Sequence, residues 1–187
     1  MHVANAKGIS LVDMVKYLRS RREQAIPLLP ERLRRYLDEK INIAQWYPEE
    51  DMIGLVRVLA QLMPAASEPP LRLIGRLNAR HHVSGAYAHL FADADVKRLP
   101  LRARSLWKAM HDTGDLRMVV SDGEAEVEIA GYGHPSAEMC EMIQPYLEEL
   151  FSAAGLTKVS IVKRACSRAG GLACRYYVSW PDEVGSI

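Results

Sequence analysis

The residues with the clearest chemical potential are Cys140, Cys166 and Cys174, the only three cysteines of the chain. Thiolates are soft ligands, and zinc takes them in tetrahedral sites that usually need four donors. The 166/174 spacing differs from the C-x2-C knuckle of ordinary zinc fingers, and the sequence does not choose a fourth donor among histidine, carboxylate and water. The competing reading is three small buried hydrophobes in a reducing compartment. His81, His82 and His89 read either as polar or capping residues or as metal or haem ligands, and His111 joins them as a candidate axial ligand. Trp107, Tyr132, Tyr176 and Trp180 suit the wall of a pocket for a small apolar or aromatic molecule, or plain core packing. Catalysis is not expected. His134 and Cys140 make a weak base and nucleophile pair, and no phosphate loop, Ser-His-Asp pattern or paired carboxylate site stands out.

These side chains need elements to hold them. Residues 158–180 contain two β-rich runs around Gly170-Gly171, the pattern of a hairpin. A turn centred on Gly170 sets Cys166 opposite Cys174, Arg164 opposite Tyr176 and Val162 opposite Val178, all on one face. Cys140 falls on a preceding helix ending near Ala154, whose inward stripe is Met139, Ile143, Leu147, Leu150 and Phe151; Pro145 is expected to bend it. Upstream, Leu116, Met118 and Val120 alternate with Arg117 and Val119, Asp122-Gly123 forms a two-residue turn, and Ala125, Val127 and Ile129 alternate with glutamates. That hairpin pairs Val120 with Ala125, Met118 with Val127 and Leu116 with Ile129, with Arg117 opposite Glu128 on the wet face.

The remaining elements are helical. Helices are expected over residues 11–23, from about Pro30, from Pro48 with Ile53, Val56, Leu59, Ala60 and Met63 inward, over residues 71–91, and over residues 101–110. Residues 41–48 read as a connector. Glycine and alanine thin the 71–91 helix, notably at Gly75, so another helix or a ligand can come close. PAASEPP at residues 64–70 breaks the chain, separating an N-terminal helical segment (1–66) from an α+β domain (71–187). The fold class is α+β: an antiparallel sheet of two hairpins packed against helices, with an N-terminal helical extension.

Composition narrows the function classes. The 187 residues are 49% hydrophobic with a formal net charge of +1, so neither nucleic acid nor an anionic membrane is an expected partner. The basic clusters at 19–22 and 32–35 read as solvated helix faces. Three cysteines suit a reducing cytosol, and no apolar run has the ~20 residues of a bilayer span.

Residues 71–180, with the helix, the two hairpins and the three cysteines, resemble the ligand-binding domain of vinyl-reductase-type proteins. Haem nitric-oxide-binding proteins, transport-particle subunits and the sensor domains of phenol-responsive activators share it. In the phenol-responsive sensors the resemblance implies a zinc held by three cysteines, here Cys140, Cys166 and Cys174, and a glutamate, whose place is taken by Lys163. Residues 45–51, QWYPEED, are similar to an uncharacterised bacterial family carrying the same domain. Kinship of this kind implies a non-catalytic cytoplasmic sensor or regulatory module with a small apolar ligand, and with zinc or, alternatively, haem. A homodimeric adaptor without ligand is the second expectation.

Overall fold

A computed structural model of the chain describes residues 2–64 and 66–181. In order these form β1 (Asn5–Lys7), α1 (Ile9–Ser20), α2 (Arg22–Ala25), α3 (Glu31–Arg34), β2 (Trp46–Pro48), α4 (Glu49–Leu62), α5 (Pro70–Ser84) and α6 (Leu99–Met110), then β3 (Asp115–Ser121), β4 (Glu124–Ala130), α7 (Ala137–Ala153), β5 (Ser160–Ala165) and β6 (Ala173–Ser179). The class is α+β, as expected. β3, β4, β6 and β5 make one antiparallel sheet in that order, and β1 pairs with β2 in a second, two-stranded one.

The first hairpin has the anticipated register, Leu116 to Ile129, Met118 to Val127 and Val120 to Ala125. Gly123, at φ 73°, supplies the left-handed conformation that a two-residue turn demands. Arg117 does lie opposite Glu128, yet its ion pair is with Asp115, while Glu128 pairs with Arg175 on the other neighbouring strand. The second hairpin departs from expectation. Ile161 faces Val178 and Lys163 faces Tyr176, and the register then slips by one between Lys163 and Ala165. A β-bulge at Arg164 is the cause: it inserts one residue and turns Val162 and Arg164 outward in place of the inward positions that uniform alternation gave them.

Helix ends move for local reasons. The 71–91 run divides because Gly85 leaves helical dihedrals (φ −113°, ψ −115°), and a 3-10 turn at Ala88–Phe91 follows. Likewise the 11–23 run breaks at Arg21, at φ −119° and ψ 32°. Residues 46–48 form a strand rather than a connector, which three residues cannot announce by alternation. α4 is the largest change. Met52, Leu55 and Val58 are buried along with the expected Ile53, Val56 and Leu59, so this helix is enclosed nearly all round and forms the centre of the core. The basic clusters also do more than meet solvent: Arg32 and Arg35 converge on buried Asp51, which accepts a hydrogen bond from Tyr36 at 2.7 Å.

α5 and α7 make the tightest helix contact. A Cβ on Gly75 would collide with the carbonyl oxygen of Met142 and stand 2.8 Å from its Cα, so only glycine permits this approach. Across the same seam Arg76 reaches Glu148 and Glu149 and Arg80 reaches Glu149, while Arg76 also pairs with Glu68 just before α5. The guanidiniums hold the Glu68 and Glu149 carboxyls below the usual carboxylate range, against the opposing effect of burial.

Candidate functional site

Two sites emerge. At the first, the Sγ atoms of Cys140, Cys166 and Cys174 all lie within 4.8 Å of one another, and Cys140 and Cys166 are 3.7 Å apart. Tetrahedral zinc with Zn–S bonds of about 2.3 Å requires sulfur separations of about 3.8 Å, so this edge is already spaced for a metal. Ser136 caps α7 by accepting from the Met139 amide, which fixes the first turn and directs Cys140 to the sheet. Cys174 comes from the inner face of β6, and Ser167 lies 3.3 Å from its sulfur.

Lys163 shares this corner because of the bulge. It stands three positions before Cys166, an odd interval that would put the two on opposite faces of a regular strand. Burial opposes its charge, but the Cys140 and Cys166 thiols outweigh it and hold the ammonium protonated well above the usual lysine range. Burial also opposes ionisation of Cys166, yet the Lys163 ammonium and the Arg168 amide bring that thiol down to about 7. At Cys140 burial wins and pushes the thiol up. Lys163 also stands 5.6 Å over the ring of Tyr176, whose buried hydroxyl has no hydrogen-bond partner among the described residues.

The second site is a cavity of about 70 Å³ in the helical core. Its wall is mainly apolar and includes Met14, Met52, Met110, Met139 and Met142, with Trp107, His82 and His111. Behind His111 lies a network that sequence reasoning missed. Glu49, the first residue of α4, is fully buried and accepts from His111 Nδ1 at 2.5 Å and from the Tyr132 hydroxyl at 2.7 Å. A buried carboxylate must be paired, and here a helix N-terminus and two donors satisfy it. Trp107 packs on His111 at 4.3 Å between centroids and meets Tyr132 edge-on at 5.4 Å. His82 bonds through Nδ1 to Tyr146 at 2.8 Å.

The expected ligand-binding aromatics therefore separate. Trp107 lines the cavity and Tyr132 stands behind it through Glu49; Tyr176 belongs to the thiol corner; Trp180 lies against Phe151 at 5.6 Å. Of the four histidines considered as axial ligands, His82 and His111 reach the cavity, whereas His81 is exposed beside Asp13 and His89 is exposed.

Burial, with the charges of His81 and His111, lowers the His82 imidazole to about 4. The unfolded chain, at about 6.5, binds this proton first, so the neutral ring stabilises the fold above that value and the contribution is lost as pH falls toward 4. Urea titrations are expected to show about 2 kcal/mol more loss between pH 7 and pH 5 in the wild type than in His82→Gln. Equal slopes would refute this.

No protein-family model and no curated protein matches the sequence. Solved structures do match. A member of the H-NOX family studied for haem distortion aligns at TM-score 0.66 and 14% identity over 97% of this chain and 98% of the other. An oxygen-binding H-NOX domain related to soluble guanylate cyclases, in its oxygen complex, aligns at 0.65 and 13% over 97% and 98%. An H-NOX protein from S. oneidensis in the Fe(II)NO ligation state aligns at 0.67 and 14% over 94% and 99%. At such identities the likeness establishes the fold, and it runs through the N-terminal helices as well as residues 71–180. Among the described residues no helix is long and apolar enough to cross a membrane.

Proposed function

We propose that this chain is a non-catalytic sensor module that holds a small molecule in the cavity between α4, α5, α6 and α7, with the thiol corner as a structural zinc site. The observation that carries the sensor reading is a mainly apolar cavity in the helical core, in a fold whose solved examples include oxygen- and NO-ligated proteins. Three thiolates and a zinc dication leave one negative charge over, and the Lys163 ammonium neutralises it. Lysine in place of the expected glutamate is thus compatible with Cys140, Cys166 and Cys174 as ligands, and it acts on their sulfurs rather than on the metal.

Native mass spectrometry of the full chain tests both parts. The expected spectrum carries one zinc and a co-purified small-molecule adduct, and Cys166→Ser loses the zinc with several kcal/mol of stability, since structural metal binding is coupled to folding. A chain without zinc whose Cys166→Ser variant costs only about 1 kcal/mol would refute the metal assignment, and absence of an adduct together with absence of any small-guest response in the cavity would refute the sensor reading.

A further inference from the structure

The size and chemistry of the ligand are written in the wall of the cavity. Five of the chain's eight methionines, Met14, Met52, Met110, Met139 and Met142, line this one space, and all five are buried. Pockets for drug- or cofactor-sized molecules run to about 300–1,000 Å³, and an engineered apolar cavity of about 150 Å³ holds benzene or xenon. The space here, about 70 Å³, is smaller than either.

Haem, the group present in the similar structures, meets residues that pull in two directions. In its favour, His82 and His111 each commit Nδ1 to a hydrogen bond within the protein, which is how metal-ligating imidazoles are commonly oriented. Against it, a porphyrin needs several times the volume and brings two carboxylates, while no lysine or arginine among the described residues lines the cavity. Enlargement by parting α5 from α7 is opposed by the Gly75–Met142 backbone contact and by the arginine ladder beside it. The residues present do not fit haem.

We infer that the chain binds directly, without haem, an uncharged apolar molecule of no more than a few heavy atoms, with methionines filling the space a larger group would take. This rests on the cavity being the sensor's ligand site. Methionine is unbranched and polarisable, so such walls adjust to small differences in guest shape without opening a cleft. A charged guest would be desolvated with no ion to pair it.

Three measurements on the full chain decide the matter. Titration with haemin is expected to give no stoichiometric Soret complex. Xenon under pressure is expected to give a saturable 129Xe shift, and benzene to bind Met142→Ala or Met139→Ala at least tenfold more tightly than the wild type. The pair of variants guards against one failing to fold, and the haemin and xenon arms need neither. A stoichiometric haem complex overturns the inference. Absence of a xenon response alongside a co-purified ligand overturns the size class but leaves the sensor reading standing; absence of both removes the two together.

Discussion

Replacing Glu49 with alanine is expected to lower the melting temperature by roughly 10 °C, a large effect for a single substitution. The change strands two donors, His111 Nδ1–H and the Tyr132 hydroxyl, whose hydrogen bonds both end on this carboxylate. Leaving two buried donors without an acceptor costs about 1–3 kcal/mol each, and in a protein of this size each kcal/mol is about 2–4 °C. Glu49→Gln keeps the shape and one acceptor oxygen, so its loss should be about half as large. Differential scanning calorimetry on the three proteins checks the ranking; Glu49→Ala within 1 kcal/mol of wild type would mean that the network is dispensable.

The second large effect contrasts two glycines. Alanine is favoured over glycine inside a helix by about 1 kcal/mol, so Gly75→Ala and Gly54→Ala begin with the same advantage. Their surroundings differ. At Gly75 the new Cβ runs into the carbonyl oxygen of Met142 and meets its Cα and carbonyl carbon at 2.8 and 2.9 Å, all backbone, so α5 and α7 must part. At Gly54 the close atom is Leu33 Cδ1 at 2.5 Å, the far end of a side chain that can rotate. Overpacking against backbone is expected to destabilise Gly75→Ala by about 3 kcal/mol, with Gly54→Ala within about 1 kcal/mol of wild type. Chemical denaturation should separate them, and similar midpoints would refute the explanation.

How much of the molecule is legible in the sequence depends on the range over which each signal acts. The β3–β4 hairpin is readable residue by residue because Asp122-Gly123 and strict alternation are local. Cysteine proximity follows from one further hairpin and one helix stripe, and Gly75 announces a close approach without naming Met142. The bulge at Arg164 is silent because nothing in Val162-Lys163-Arg164 marks where alternation pauses. Glu49 looks like an ordinary acid at a helix start, and its partners lie 62 and 83 residues away. Met52, Leu55 and Val58 widen the buried arc of α4 until only the strip of Glu50, Arg57 and Gln61 meets solvent, a width that depends on how many elements pack around the helix rather than on its own periodicity.

Arg164 carries a further implication. Its effect on the thiol corner depends on how many residues precede Cys166, and hardly at all on which residue it is. Loss of one codon there would remove the bulge and leave Lys163 two positions before Cys166, an interval that a regular strand places on one face, so the counter-charge would stay with the sulfurs. Homologous chains with a lysine three positions before the second cysteine and a bulge, or two positions before it in a regular strand, would therefore share the electrostatics of this sulfur cluster, an equivalence that inspection of the cysteines alone would overlook.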